Sequence, residues 1–213
     1  GGRIDHLYYV ILGITGVTVV LTEMTRVYFM FKYGGDKPGK ATYIHGHHKA
    51  EILWTAIPAV ILVFIALYQM STWSAIKFQA QFPKEQVFAE VTAGQFEWRV
   101  RYAGPDGKLG TRDDLHRLNE LCVPQDKDIV IHLASRDVLH SFFLPNLRLK
   151  QDAVPGMTIP IWFNATRSGD YPLICAELCG WGHYKMRGQL RVRSAADHES
   201  WMKAAQAEQE RAQ

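Results

Sequence analysis

Ile52 to Ile76 is a run of 25 residues without a charged side chain, and this run constrains the fold more than any other feature of the chain. Its first part, ILWTAIPAVILVFIALYQM, is long enough as a helix to cross a hydrocarbon core of about 30 Å. Pro58 falls in the first two turns, where a missing amide costs less than it would mid-helix. A second apolar segment precedes it. Leu7 to Thr22 is uncharged and the apolar character continues through VYFMF to Phe31, past Glu23 and Arg26. The spans are therefore expected at about 7–31 and 52–74, as a transmembrane hairpin within residues 1–80. Glu23 and Arg26 suit an i, i+3 pair near a helix end, with the arginine snorkelling to the headgroups, or a polar contact to a partner subunit inside the bilayer. The first span is too long for a signal peptide, and no small-residue cleavage pattern follows it.

The segment joining the spans, Lys32 to Lys49, carries four lysines against one aspartate. By the positive-inside rule it faces the cytoplasm, so both termini lie outside. From Lys84 onward there are 17 basic and 17 acidic residues, so the net charge of +3 belongs to the membrane part, with 7 basic and 4 acidic. A neutral outer domain has no basic footprint for nucleic acid.

Past Ala80 the pattern changes to short alternating runs: VFAEVTA, FEWRVRY, DIVIHLAS, HSFFLPNL, IPIWFNA and GQLRVRS, separated by Pro, Gly and Asp. Such spacing predicts an antiparallel sandwich or barrel of roughly 110 residues over 84–194. Residues 195–213, AADHESWMKAAQAEQERAQ, read as a polar C-terminal helix with Asp197 as a candidate cap. The turn AGPDGKLGTRDD, 103–114, brings Asp106, Asp113 and Asp114 together. It reads as a solvated loop, since the ordered ligand spacing of a calcium loop is missing.

The stretch CAELCGWGHYKM, 175–186, holds the chemistry. Cys175 and Cys179 alone, in an extracytoplasmic domain, would suggest a disulfide, with Cys122 left as a small buried apolar residue. His183 follows Cys179 by four residues and Met186 by seven, while His140 stands in DVLHSFFLP, where a strand can return it to the same loop. Two thiols, two imidazoles and a thioether form a soft set that favours copper. Zinc would be content with Cys175, Cys179, His183 and His140 and has no use for the methionine. A mononuclear blue copper site needs one cysteine, so the second is surplus unless two thiolates bridge two coppers, each with one histidine.

These residues closely resemble subunit II of haem-copper cytochrome c oxidases. The likeness is carried by EILWTAIPAVIL, by DVLHSFFLPNLRLKQDAVPG, and by residues 175–186, which fit the family's motif C-x-E-x-C-G-x-x-H-x-x-M at every fixed position. The resemblance implies a two-helix transmembrane hairpin followed by a cupredoxin domain, a Greek-key β-sandwich. It also implies a dinuclear copper A centre that takes electrons from cytochrome c and passes them to haem in subunit I, with subunit III as a further partner, in a bacterial inner membrane. Cys175 and Cys179 would bridge the coppers, His140 and His183 would be terminal ligands, Met186 the weak thioether, and Glu177 would give its backbone carbonyl. The Glu177 side chain matches a magnesium ligand at the subunit I interface. Glu51 matches an acid at the mouth of a proton pathway, or is an ordinary helix-start carboxylate.

Two positions depart from the family pattern. Electron intake in the family uses a tryptophan in Q-W-Y-W, and here the segment is Q-F-E-W, 95–98. Phe96 stands at the intake position and Trp98 aligns with the second tryptophan, for packing or conduction. An acidic docking position is Arg136, next to Asp137. Lysine-rimmed cytochrome c docks on acids, so a different donor is expected, such as a cytochrome c domain tethered in a supercomplex with alternative complex III. The alternative function is a membrane-anchored copper carrier or metallochaperone. No C-x-x-C-H is present, so no haem attaches covalently to these residues. The charge asymmetry predicts that trypsin cuts after Lys40 in inside-out vesicles and leaves that bond intact when added to spheroplasts; the reverse pattern would invert the orientation.

Overall fold

The computed structural model describes residues 2–35, 39, 43–78, 80 and 82–212. The chain divides into two compact units, 1–75 and 76–213. The first contains the apolar helices. Helix α1 spans Gly2–Tyr33 and α2 spans His48–Lys77, and both are long and apolar enough to cross a membrane. Each begins a few residues before the expected span. Their apolar side chains are exposed around the whole circumference, among them Val19, Leu21, Val60, Leu62 and Leu67. A helix apolar on every side calls for lipid rather than water around it. The polar groups in α1 are satisfied within it: Thr15, Thr18, Thr22 and Thr25 each donate their hydroxyl to the carbonyl four residues earlier. Such back-bonding removes the cost of an unpaired hydroxyl in hydrocarbon. Glu23 and Arg26 make the i, i+3 ion pair, at 3.0 Å.

The second unit is a sandwich of two five-stranded sheets. One sheet holds β1 (Ala89–Gly94), β2 (Glu97–Tyr102), β3 (Leu115–Leu118), β5 (Asp128–Ser135) and β8 (Ile159–Asn164), in the order β3-β2-β1-β5-β8. The other holds β4 (Glu120–Pro124), β6 (His140–Leu144), β7 (Leu149–Ala153), β9 (Gly169–Cys175) and β10 (Arg187–Arg193), in the order β4-β10-β9-β6-β7. Period-two alternation sends Val91, Trp98, Val100, Ile131 and Leu133 inward from the first sheet, and Leu121, Phe142, Leu144, Leu173 and Leu190 from the second. All are buried in one core.

The sheets are not wholly antiparallel. β1 pairs with β5, and β4 with β10, in parallel, because the chain crosses between the two layers instead of returning by hairpins. One crossing is made at Asn119, which takes a left-handed φ of 58° between β3 and β4. Asparagine tolerates that conformation better than most residues. Its amide donates to the Trp98 carbonyl at 2.7 Å, its side-chain oxygen accepts the Trp98 amide at 2.8 Å, and its carbonyl accepts the Gln189 amide at 2.8 Å.

Helix α3, Ala195–Ala212, packs on β3, β4 and β10. Its cap is Ser194. The Ser194 hydroxyl accepts the Asp197 amide at 3.2 Å and donates to the Asp197 carboxylate at 2.7 Å, so Asp197 completes the cap from the third helical position instead of forming it. In the 103–114 turn, Asp114 is fully buried, and its oxygens accept the Gly110 amide at 2.7 Å and the Thr111 hydroxyl at 3.1 Å. The acids of that turn brace it from within.

Cys122 is buried and free, and its amide donates to the Tyr102 hydroxyl at 2.7 Å. Burial pushes the Cys122 thiol up to about 12, and burial likewise raises the Tyr102 phenol. Above about pH 9 the unfolded chain loses these protons while the folded chain keeps them, so stability falls as pH rises. The melting temperature of the full chain in detergent is expected to decline steadily from about pH 9 upward. Cys122→Ser should make that decline shallower, and an identical slope would refute the assignment.

Candidate metal centre

The residues that the sequence separates meet at one end of the second sheet, where β6, β9 and β10 lie side by side. Cys175 ends β9 and pairs with Phe142 of β6, so His140, the first residue of β6, comes beside it. The Cys175 amide donates to the Met186 carbonyl at 3.2 Å, which closes the 176–185 loop on itself at the start of β10. Within the loop the His183 amide donates to Gly180 at 3.0 Å and the Met186 amide to His183 at 3.2 Å.

The donor atoms form two similar halves. Cys175 Sγ lies 3.9 Å from His140 Nδ1 and 3.2 Å from the Glu177 carbonyl oxygen. Cys179 Sγ lies 3.7 Å from His183 Nδ1 and 3.8 Å from Met186 Sδ. The two sulfurs are 3.9 Å apart and both thiols are free, so no disulfide closes the pair. At a metal–sulfur distance of about 2.3 Å, an ion between sulfurs 3.9 Å apart subtends an angle of about 115°, within the range of ordinary coordination. The donor set thus fits soft metal. His140, Cys175 and Cys179 alone form a buried group able to hold an ion. Cys175, Cys179, His140 and Met186 are buried, while His183 and Glu177 are half-buried.

Asp137 sets the ring of His140. Its Oδ1 is 2.8 Å from His140 Nε2 and also accepts the Val138 amide at 2.7 Å, and its Oδ2 accepts the Gln95 amide at 2.7 Å. Partial burial pulls this carboxyl upward and is outweighed by the hydrogen bonds from Gln95, His140 and Val138, which hold it at about 2. An ionised carboxylate only accepts, so His140 Nε2 must carry the proton and Nδ1 presents its lone pair to the cluster. Burial first, then the neighbouring Cys175, pushes the Cys179 thiol up to about 11. Without metal, that thiol keeps its proton at neutral pH.

The β1–β2 turn roofs the loop. Gln95 Nε2 donates to the Cys179 carbonyl at 2.6 Å, and Phe96 lies against Gly180 and Gly182. A Cβ on Gly182 would stand 2.5 to 2.7 Å from three atoms of the Phe96 ring, and Gly180 has a φ of +134°. Neither position admits a side chain without displacing the roof. Gln95 and the orienting role of Asp137 escaped the sequence reading. The signals were present, in the three-residue spacing of Asp137 to His140 and in the glutamine of Q-F-E-W.

Of the other expected positions, Phe96 is half-buried, whereas Trp98 is fully buried beneath the site with its ring 6.3 Å from that of His140 and 5.5 Å from Phe142. Glu51 lies in the helical unit. Its carboxylate accepts the His47 amide at 3.2 Å while His47 Nδ1 accepts the Ala50 amide at 3.1 Å, a reciprocal cap for α2.

A β-sandwich with buried cysteine and histidine at a strand-end loop, behind two membrane-length helices, defines a membrane-anchored protein of the cupredoxin class. The comparisons narrow that class. The profile of "Cytochrome C oxidase subunit II, transmembrane domain" matches residues 3–72, and that of "Cytochrome C oxidase subunit II, periplasmic domain" matches residues 104–192. The "Alternative cytochrome c oxidase subunit 2" of Bradyrhizobium diazoefficiens is 29% identical over 224 residues, 94% of this chain and 79% of the relative. The "Cytochrome c oxidase subunit 2" of Thermostichus vulcanus is 27% identical over 256 residues, 96% and 75% of the two chains. Among solved structures, the periplasmic domain of subunit II (CoxB) of Bradyrhizobium japonicum is 29% identical with a TM-score of 0.53, covering 59% of this chain and 97% of that one. CoxB in a mixed disulfide intermediate with a thioredoxin-like protein is 31% identical with a TM-score of 0.50, covering 59% and 96%. The chain belongs to the cytochrome c oxidase subunit II family, and is thereby a subunit of an oxidoreductase.

The fit of Phe96 over the loop yields a test. Gly182→Ala is expected to destabilise the domain by about 1–3 kcal/mol through overpacking against the ring. Adding Phe96→Leu should recover part of that loss in denaturant unfolding; strictly additive losses would show that the ring and the glycine do not interact.

Proposed function

We propose that this chain is the electron-accepting subunit of a respiratory haem-copper oxidase, with a dinuclear copper A site in its extracytoplasmic domain. The observation that carries the reading is the doubling of the donor set. Each cysteine sulfur has its own histidine nitrogen and its own weak donor, the Glu177 carbonyl on one side and the Met186 thioether on the other. One ion would leave half of these unused. When bound, the copper pair takes up and releases a single electron shared between two metals.

The chain's own residues prepare that site. Cys175 and Cys179 would hold the metal through their thiolates, and His140 and His183 through one nitrogen each. Asp137 fixes the His140 tautomer, and the Gln95 hydrogen bond with the Phe96 ring holds the loop against rearrangement. A rigid, largely buried cluster with all its donors internal suits electron passage and offers no open position for a substrate. Electrons would come from a cytochrome c, free or as a tethered domain, and go to haem in subunit I. The Glu177 carboxylate is the proposed magnesium contact at subunit I, and Glu51 the proposed proton-pathway acid at the cytoplasmic side. Because the CoxB relative forms a mixed disulfide with a thioredoxin-like protein, a reductant of that type would keep Cys175 and Cys179 as thiols before copper uptake here.

The test is metal content and electron paramagnetic resonance of the full chain in its oxidase. Two coppers per chain and a seven-line hyperfine pattern are expected, with the pattern lost in Cys179→Ser. One copper, or zinc, in fully loaded protein would overturn the reading and favour the copper carrier.

A further inference from the structure

The 175–186 loop presents three large side chains to solvent, Leu178, Trp181 and Tyr184, and Trp181 is the one whose ring meets Phe96 of the roof turn. Trp181 is 78% exposed, yet it is held from two sides. The Phe96 ring meets it edge-on with centroids 5.5 Å apart, and Lys185 Nζ sits 4.5 Å from its centroid. An ordered, exposed tryptophan keeps a large apolar face in water, and tryptophan is the residue type most enriched at the energetic centres of protein interfaces. Trp181 lies two residues from Cys179 and two from His183. Phe96 beneath it rests on the glycines at either side, and Gln95 hydrogen-bonds the Cys179 carbonyl. Solvent, Trp181, Phe96 and the cysteine loop therefore form one continuous stack.

The charge around this stack is spent locally. Glu97 pairs with Arg99 at 2.7 Å and with Arg136 at 3.4 Å, and the Asp137 oxygens are turned to Gln95, Val138 and His140. Glu97 and Asp137, the acids beside Phe96, are thus already engaged within the chain, and the face that Trp181 offers is an apolar one.

We propose that Trp181 is the docking and electron-input contact of the chain, seated against the exposed apolar haem edge of a c-type cytochrome, with Phe96 as the layer below it. The proposal rests on the electron-accepting reading and names the residue through which it operates. The step transfers one electron and no proton: the ferrous donor becomes ferric and the oxidised copper pair is reduced by one electron. Phe96 alone is only half-exposed, and Trp98 is sealed in the core, so neither offers the donor a comparable face.

The test compares wild type with Trp181→Ala and Trp181→Phe in the intact oxidase. The probes are reduced horse cytochrome c and an acidic bacterial c-type cytochrome, followed by stopped-flow reduction of the copper site. Copper content, optical spectrum and paramagnetic resonance are read on the same samples, and binding of the oxidised probes to the metal-free full chain is measured by calorimetry. Trp181→Ala is expected to slow reduction and weaken binding at least about tenfold with the better probe, and Trp181→Phe to restore part of both, with copper spectra unchanged. Rates and affinities that stay at the wild-type level in Trp181→Ala would overturn the proposal, as would a loss that tracks loss of copper. A wild-type complex reduced by neither probe overturns it too, while the electron-accepting reading stands as long as the two-copper spectrum is present.

Discussion

The site depends on a single adjacency in the second sheet. β9 lies between β6 and β10, and the ladder contact of Cys175 with Phe142, together with the hydrogen bond from the Cys175 amide to Met186, brings histidine, two cysteines and methionine to one strand end. Backbone ladders of this kind are part of the same packed unit as the core. The loop donors sit at the end of strands packed through Phe142, Leu144, Leu173 and Leu190, so a metal bound there would add its binding energy to the stability of that core.

Much of this was legible in the sequence because its signals are local. An uncharged run of membrane length, alternation such as DIVIHLAS, which is β5 from its first residue to its last, and the fixed spacings of 175–186 each carry their meaning within a few residues. What escaped reading is non-local. β9, GDYPLIC, contains Pro172, which argues against an interior strand. The strand survives because its pairing with β6 is confined to Cys175 and Ile174, so Pro172 lies beyond the reach of that ladder. β3 and β4 are not among the alternating runs, and they fall in separate sheets with Asn119 between them. Gln95 acts through partners 42 and 84 residues distant, Asp137 and Cys179, so its role is not visible in a local window.

The two units solve opposite solvation problems. In the helices, polar atoms turn inward to the backbone and apolar side chains outward, as the threonines of α1 show. In the sandwich, apolar side chains turn inward, and the buried polar groups Asp114 and His140 are provided with partners. The reversal occurs within a few residues of Lys77, and it assigns the chemistry to the water-facing part of the chain.

Asn119 has a mechanical consequence. By bonding Trp98 in one sheet and Gln189 in the other, it works as a rivet through the sandwich. Two packed sheets can in principle slide on each other thermally, and such sliding would move the roof turn of the first sheet across the sulfur loop of the second. Pinned at Asn119, the layers move together. The roof turn that carries Phe96 then keeps its register over the cysteine loop, although the two belong to different sheets.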